Sequence, residues 1–454
     1  MIANLNIVQT YLLWLGIILF PFVNSVLMNS GSGFSGSIIP LSLGVVIWIV
    51  SKIIKGNIST KIFFHTGVYI FGLWIIGAIV SSVFNFEIIA YSENVSSNGM
   101  GQFLLKLVAM LAYFFMTIYV YDVTLSLKTD VVCNLVYKML LISFAIAGVY
   151  SVVEILSMFN DAWKPILASL DALFRGGDIG KVSFKVRSVS YEASTLGNYL
   201  AIVAPFILVK MICGERKYIF LCIYLMIMAF MTYSRTVYVV LFIDVLLISV
   251  FYKKWRYLFL IITSLFCISA TIAAVNDNLW FSNISLLDIF SSLIDSDDSG
   301  RITSNYMRYG SQVAAYHLWL DNIFFGVGLG QAKFCLLNYI PDWAWISSDM
   351  FMFQDNMVVF GVYPRMLAEQ GIIGMILYSL LWGMVIYKLR KKCLYSKNDE
   401  EKMFIVALSV AIIGTLLTMN NWDMLSYPAI WVLLALAWRM CENNTVDKCT
   451  GGDV

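Results

Sequence analysis

The chemistry this sequence offers is carried by five arginines: Arg187, Arg235, Arg301, Arg308 and Arg365. A guanidinium stays charged at any relevant pH and pairs bidentately with phosphate oxygens. Several of them near one membrane face therefore suit a diphosphate head group. Arg301 and Arg308 are seven apart, two helical turns on one face. Arginines at a membrane boundary also act as anchors that snorkel to lipid phosphates, and that use stays open for each of them. Glu192, five residues after Arg187, and Glu369 are the carboxylates that fit a general base; both equally fit salt-bridge partners of the arginines. Asp244 in mid-span and Glu154 near a span end are intramembrane carboxylates, functional candidates by default or members of a structural pair.

Other chemistries are missing from the sequence. Gly326-Val327-Gly328-Leu329-Gly330 lacks the spacing and the strand–helix surroundings of a dinucleotide fingerprint, and there is no phosphate-binding P-loop. No His/Cys cluster has metal-ligand spacing. The chain has two histidines, His65 and His317, which rules out a histidine-rich site. His317 lies in an amphipathic segment, Gln312 to Phe325, and reads as a surface or packing residue. Asp295, Asp297 and Asp298 read as a solvated turn rather than a metal site, and no cofactor is expected. Eight cysteines are scattered, with only Cys335 in the large polar loop, so no disulfide framework is implied there.

The elements that must position these residues are apolar helices. Sixty per cent hydrophobic residues, 13% charged and a mean hydropathy of +0.81 lie outside the range of soluble globular proteins. The class is all-α, a polytopic membrane protein. Twelve spans are expected, near 9–29, 37–54, 62–83, 103–121, 134–156, 193–212, 217–233, 235–251, 256–275, 366–388, 403–420 and 423–440. Basic residues resist translocation. Those at Lys52 to Lys61, Lys128 and Lys138, Lys210 to Lys217, Lys253 to Arg256, Lys388 to Lys402, Arg439 and Lys448 number 19 of the 30 Lys and Arg. They put both termini in the cytoplasm and all five arginines outside. Met1 to Thr10 carries no Lys or Arg, so the first run reads as a span and not a cleaved signal. The expected organisation is a nine-helix bundle over 1–275 with an outer loop at 157–192, and a large outward loop at 276–365. Three helices over 366–440 and a cytoplasmic tail at 441–454 complete it. Trp163 to Phe174 reads as a short interfacial helix, and the aromatics of 339–345 as an interfacial belt rather than a sugar-stacking face.

Four motifs fall in order along these elements. Arg187-Ser188-Val189-Ser190-Tyr191-Glu192-Ala193-Ser194 leads into a span with Gly197 and Pro205, and Tyr233-Ser234-Arg235-Thr236 opens another. His317 to Gly330 ends in Asn322-Ile323-Phe324-Phe325-Gly326-Val327-Gly328-Leu329-Gly330. Tyr363-Pro364-Arg365-Met366-Leu367-Ala368-Glu369-Gln370-Gly371-Ile372-Ile373-Gly374 opens the tenth span. Over about residues 185–390 the chain resembles the O-antigen polymerase and ligase family of bacterial membrane glycosyltransferases.

That resemblance implies a GT-C-type fold in the inner membrane, acting at the periplasmic face on undecaprenyl-diphosphate-linked oligosaccharides, without nucleotide sugar or metal. Membrane lipid and a chain-length regulator are the other partners it implies; nucleic acid is not one. Ligases of the family commonly carry a His just before the span corresponding to the tenth. Tyr363-Pro364-Arg365 stands there instead, which favours a polymerase of surface-polysaccharide repeat units over a ligase to lipid A core. On this reading Arg187 and Arg235 bind the diphosphate, and Glu192 is the first candidate base. Arg301, Arg308, Tyr363, Arg365 and Glu369 then serve the second substrate. A lipid-linked oligosaccharide transporter is the rival from another class, but no internal repeat or matched pair of broken helices supports it.

Overall fold

Eleven of the twelve expected spans fall on helices in the computed structural model, the first of them ending at Ile18 rather than near residue 29. It describes residues 2–23, 35–55, 65–94, 97–174, 185–190, 192–254, 299–346, 357–422 and 424–442. The ninth expected span (256–275), the acidic turn at 295–298 and most of the tail at 441–454 lie outside the described residues. Eight described helices are long and apolar enough to cross a membrane. These are α2 (Ile38–Lys55), α3 (Thr66–Phe84), α5 (Gly99–Leu125), α6 (Thr129–Phe159), α8 (Ala193–Ile212), α10 (Arg235–Tyr252), α13 (Val362–Tyr395) and α14 (Asp399–Thr418). Three more are apolar but shorter: α1 (Ile2–Ile18), α9 (Lys217–Met231) and α15 (Pro428–Cys441). In hydrocarbon every backbone polar group must find its partner within the chain, and a helix provides that by itself.

Burial sorts the helices. α8 is enclosed on almost all sides, packed by α9, α10 and α14, so its largely apolar sequence serves the core. The peripheral helices keep large apolar side chains outward, among them Ile53, Val83, Phe220 and Leu394, as a lipid-facing surface requires. Polar caps satisfy the helix starts: Asn98 Oδ1 accepts from the Gly101 N–H at 2.7 Å, and Asn398 Oδ1 from Glu400 at 2.9 Å.

Two connections have structure of their own. The first contains α7 (Lys164–Phe174), the expected amphipathic segment, which buries Leu167 and Asp171 on one face; the Tyr150 hydroxyl of α6 donates to the Asp171 carboxylate. The second runs through α11 (Ser299–Asp321), α12 (Ala332–Cys335) and two 3-10 turns, Leu336–Tyr339 and Asp342–Ile346. It closes a small separate core of Ala314, Leu318, Val327, Leu336 and Val359 against Ala368 of α13. α4 (Phe86–Tyr91) and a two-residue hairpin, β1 (Glu93–Asn94) with β2 (Ser97–Asn98), join α3 to α5.

Candidate functional site

The site begins at a break in α13. Gly371 has φ +64° and ψ −164°, which divides the helix after nine residues, and a side chain there would run into the Phe324 carbonyl. A broken helix leaves carbonyls before the break and N–H groups after it without partners. The glycine-rich turn 322–330 supplies them. Val327 N–H donates to the Ala368 carbonyl at 2.8 Å and Gly328 N–H to that of Glu369 at 3.0 Å, while Ile372 N–H donates to Ile323 at 2.8 Å. Gly326, at φ +62°, lies against the Ala368 carbonyl where a Cβ would collide. From α3, the Ser81 hydroxyl bonds the Phe325 and Glu369 carbonyls, and Asn85 Nδ2 donates to Gly326 at 2.9 Å. The third and fourth sequence motifs are thus two halves of one interlock.

The interlock fixes the first half of α13, and that half carries Arg365 and Glu369 on one face. Arg365 Nε is 3.2 Å from Glu369 Oε1, with both side chains largely buried. Both line a cleft of about 350 Å³ between α3, α5, α13 and the start of α15, a size suited to a ligand group. Lys106 of α5 lines the same cleft, together with Trp74, Tyr113 and Trp431. Two buried polar atoms on its wall, Trp74 Nε1 and Gln370 Oε1, have no hydrogen-bond partner among the described residues. Buried polar atoms are normally satisfied, and both of these belong to residues that line the cleft. The charged side chains of its lining, Lys106, Arg365 and Glu369, leave a net charge of +1, which suits an anion.

A second group lies at the same end of the bundle. Arg308 of α11 is stacked over the Phe360 ring at 5.1 Å and donates to the Asn421 carbonyl at 3.3 Å. Asn421 Nδ2 donates in turn to Thr236 Oγ1 at 3.1 Å, beside Arg235 at the start of α10. Burial pushes the Arg308 pKa down, and the nearby Glu192 carboxylate opposes that shift. Gln312 bonds the carbonyls of Phe360 and Asn420 at 2.8 and 3.0 Å, and Val362 N–H bonds Met419 at 2.8 Å. This chain of bonds links the Arg235 group to the α13 segment that bears Arg365.

The remaining predicted residues occupy other settings. Glu192 caps α8 and is exposed; its carboxylate accepts from Ser194 Oγ at 2.9 Å, and its N–H donates to Thr195. Arg187 and Ser188 give their backbone N–H groups to Glu154 Oε2 at 3.0 and 2.8 Å, and the Arg187 guanidinium comes within 3.9 Å of the same carboxylate. Glu154, an open candidate in the sequence, is thus part of a structural pair. The Tyr363 hydroxyl donates into the bundle, to the Leu416 carbonyl at 2.6 Å. His317 is on the exposed side of α11. The side chain of Arg301 lies outside the described residues. Sequence reasoning missed Lys106 as a site residue, because a single lysine just inside a span reads as an anchor. It missed Asn421 because an asparagine after a helix reads as a cap.

A family model described as O-antigen ligase matches residues 220–379. The matched stretch contains Arg235, Arg308, Arg365, Glu369 and both halves of the interlock, while Lys106, Arg187 and Glu192 precede it. The match bears out the resemblance to the O-antigen polymerase and ligase family, whose members transfer glycans in surface-polysaccharide assembly. No curated protein matches the chain.

Proposed function

We propose that this chain, with the O-antigen ligase match at its centre, is a bacterial inner-membrane polysaccharide polymerase of GT-C type. It joins undecaprenyl-diphosphate-linked oligosaccharide repeat units at the periplasmic face, with both termini in the cytoplasm. The observation that carries the reading is the cleft lined by Lys106 from one helix and by the Arg365–Glu369 pair from another. The leaving group is a diphosphate, and fixed cations stabilise the charge that develops on it. Arg365 and Lys106 take the diphosphate of the chain being transferred. Arg235 and Arg308 take the head group of the acceptor unit. Glu369 orients Arg365 and is placed to receive the proton of the attacking sugar hydroxyl. Arg187, held by Glu154, sets the position of Glu192 at the head of α8.

What favours the polymerase over the ligase is the lack of histidine. Neither of the two histidines lines the cleft, and Tyr363-Pro364-Arg365 occupies the place where ligases carry one. The gene deletion is the test, complemented by the wild type. Single-repeat caps on lipid A core support polymerisation. Loss of all capping with retained lipid-linked polymer would assign the ligase, and accumulation of lipid-linked units in the cytoplasmic leaflet a transporter. A chain-length regulator is the further partner this reading carries; it would alter the length of the ladder and not its existence.

A further inference from the structure

Pro205 lies inside α8 and has no N–H, so the carbonyl of Ala201, four residues earlier, loses the donor that an unbroken helix would supply. Ala201 is fully buried. Gly414 of α14 leaves a niche beside that carbonyl. A Cβ at Gly414 would sit 3.6 Å from the Ala201 oxygen and 3.1 Å from Oδ1 of Asp244 on α10. Asp244 is itself 0% exposed, and neither carboxyl oxygen has a hydrogen-bond partner among the described residues. Three helices therefore bring an acceptor without a donor, an acid without a partner and a missing side chain to one point.

An ionised carboxylate without a partner in an apolar interior is far costlier than its neutral acid. The neutral acid has one O–H to give, and the carbonyl short of a donor faces the same niche. We propose that Asp244 is a carboxylic acid that donates its O–H to the Ala201 carbonyl and ties α8, α10 and α14 together at mid-length. All three helices end at the site. α8 begins after Glu192, α10 begins at Arg235, and Asn420 and Asn421 follow α14. Asp244 is thus a positioning residue for the Arg235 group. Its bearing on catalysis rests on the proposed function, but the bond does not.

The test uses purified full-length protein and needs no substrate. In infrared difference spectra of wild type against Asp244→Asn, the wild type should contribute a carboxylic-acid C=O band. A carboxylate band in its place overturns the proposal. In thermal unfolding, Asp244→Val should lower the midpoint by roughly 1–3 °C, whereas Asp244→Asn, which keeps a donor, should retain most of it. Pro205→Ala restores an N–H for Ala201, so in that background Asp244→Val should cost less than half as much. Equal costs in both backgrounds overturn the proposal, and so does an Asp244→Asn midpoint as low as that of Asp244→Val. The infrared comparison tests the neutral acid even where the valine variant fails to fold. If these results hold while the polymerisation assay fails, the functional reading falls and the bond stands.

Discussion

Removing Arg365 should have two effects, which a pair of variants separates. Its guanidinium lines the cleft and also neutralises Glu369, whose side chain is 6% exposed. Arg365→Ala leaves a buried carboxylate alone, a cost of about 3–5 kcal/mol, and also loses a fixed charge worth roughly 10²-fold or more in rate. Adding Glu369→Gln should recover the thermal midpoint but, having also removed the proposed base, not polymer synthesis. If synthesis returns with stability, Arg365 is a structural residue only and Glu369 is not the base. Lys106→Ala removes the second cation that lines the cleft and should lose about tenfold in rate. Glu154 makes the contrasting case. It is 2% exposed and accepts two backbone N–H groups, so Glu154→Ala should lower stability by about 2–4 kcal/mol. Glu154→Gln retains one acceptor oxygen and should lose less; equal losses for the two variants, measured by thermal unfolding, would contradict this account.

At the scale of elements, the interlock between the 322–330 turn and the break in α13 decides where Arg365 points. Gly371→Ala forces a left-handed φ on a residue with a Cβ, on the order of 1–3 kcal/mol, and presses that Cβ on the Phe324 carbonyl. We expect a lower unfolding midpoint and loss of polymer synthesis together. Gly383→Ala, on the same helix with open space around it, should leave both unchanged or better. Little of this was legible in sequence. The helices were, because twenty apolar residues leave few options in lipid, and eleven expected spans fall on helices. The break was not, since Ile372 to Tyr395 continues the apolar run and only a hydrogen bond to a turn about fifty residues away reveals where the chain parts. The Arg187–Glu154 pair, 33 residues apart, was hidden for the same reason. Arg365 and Glu369 were legible, being four apart on one helix. Lys106 became a site residue only when α5 was placed beside α13.

For the whole molecule, the two ends of the bundle differ in how their charges are used. At the end away from the cleft, three cations are paired off or bound by carbonyls. Lys52 is 2.7 Å from Asp122, Lys210 is 2.8 Å from Glu215, and Arg439 donates to the carbonyls of Thr124 and Leu127 at 3.1 and 3.0 Å. At the cleft end, Arg365, itself 3.2 Å from Glu369, and Lys106 line a cavity. The end rich in basic residues should stay in the cytoplasm, which turns the cleft outward, where completed lipid-linked glycans are joined under the proposed function. Two exposed positions report on this: His317 on α11 at the cleft end, and Lys397 between α13 and α14 at the other. With the eight native cysteines replaced, His317→Cys should react with a membrane-impermeant maleimide in spheroplasts, whereas Lys397→Cys should react only after permeabilisation. The reverse pattern would put the cleft in the cytoplasm, and the polymerase reading would fail whatever the activity of the cleft variants.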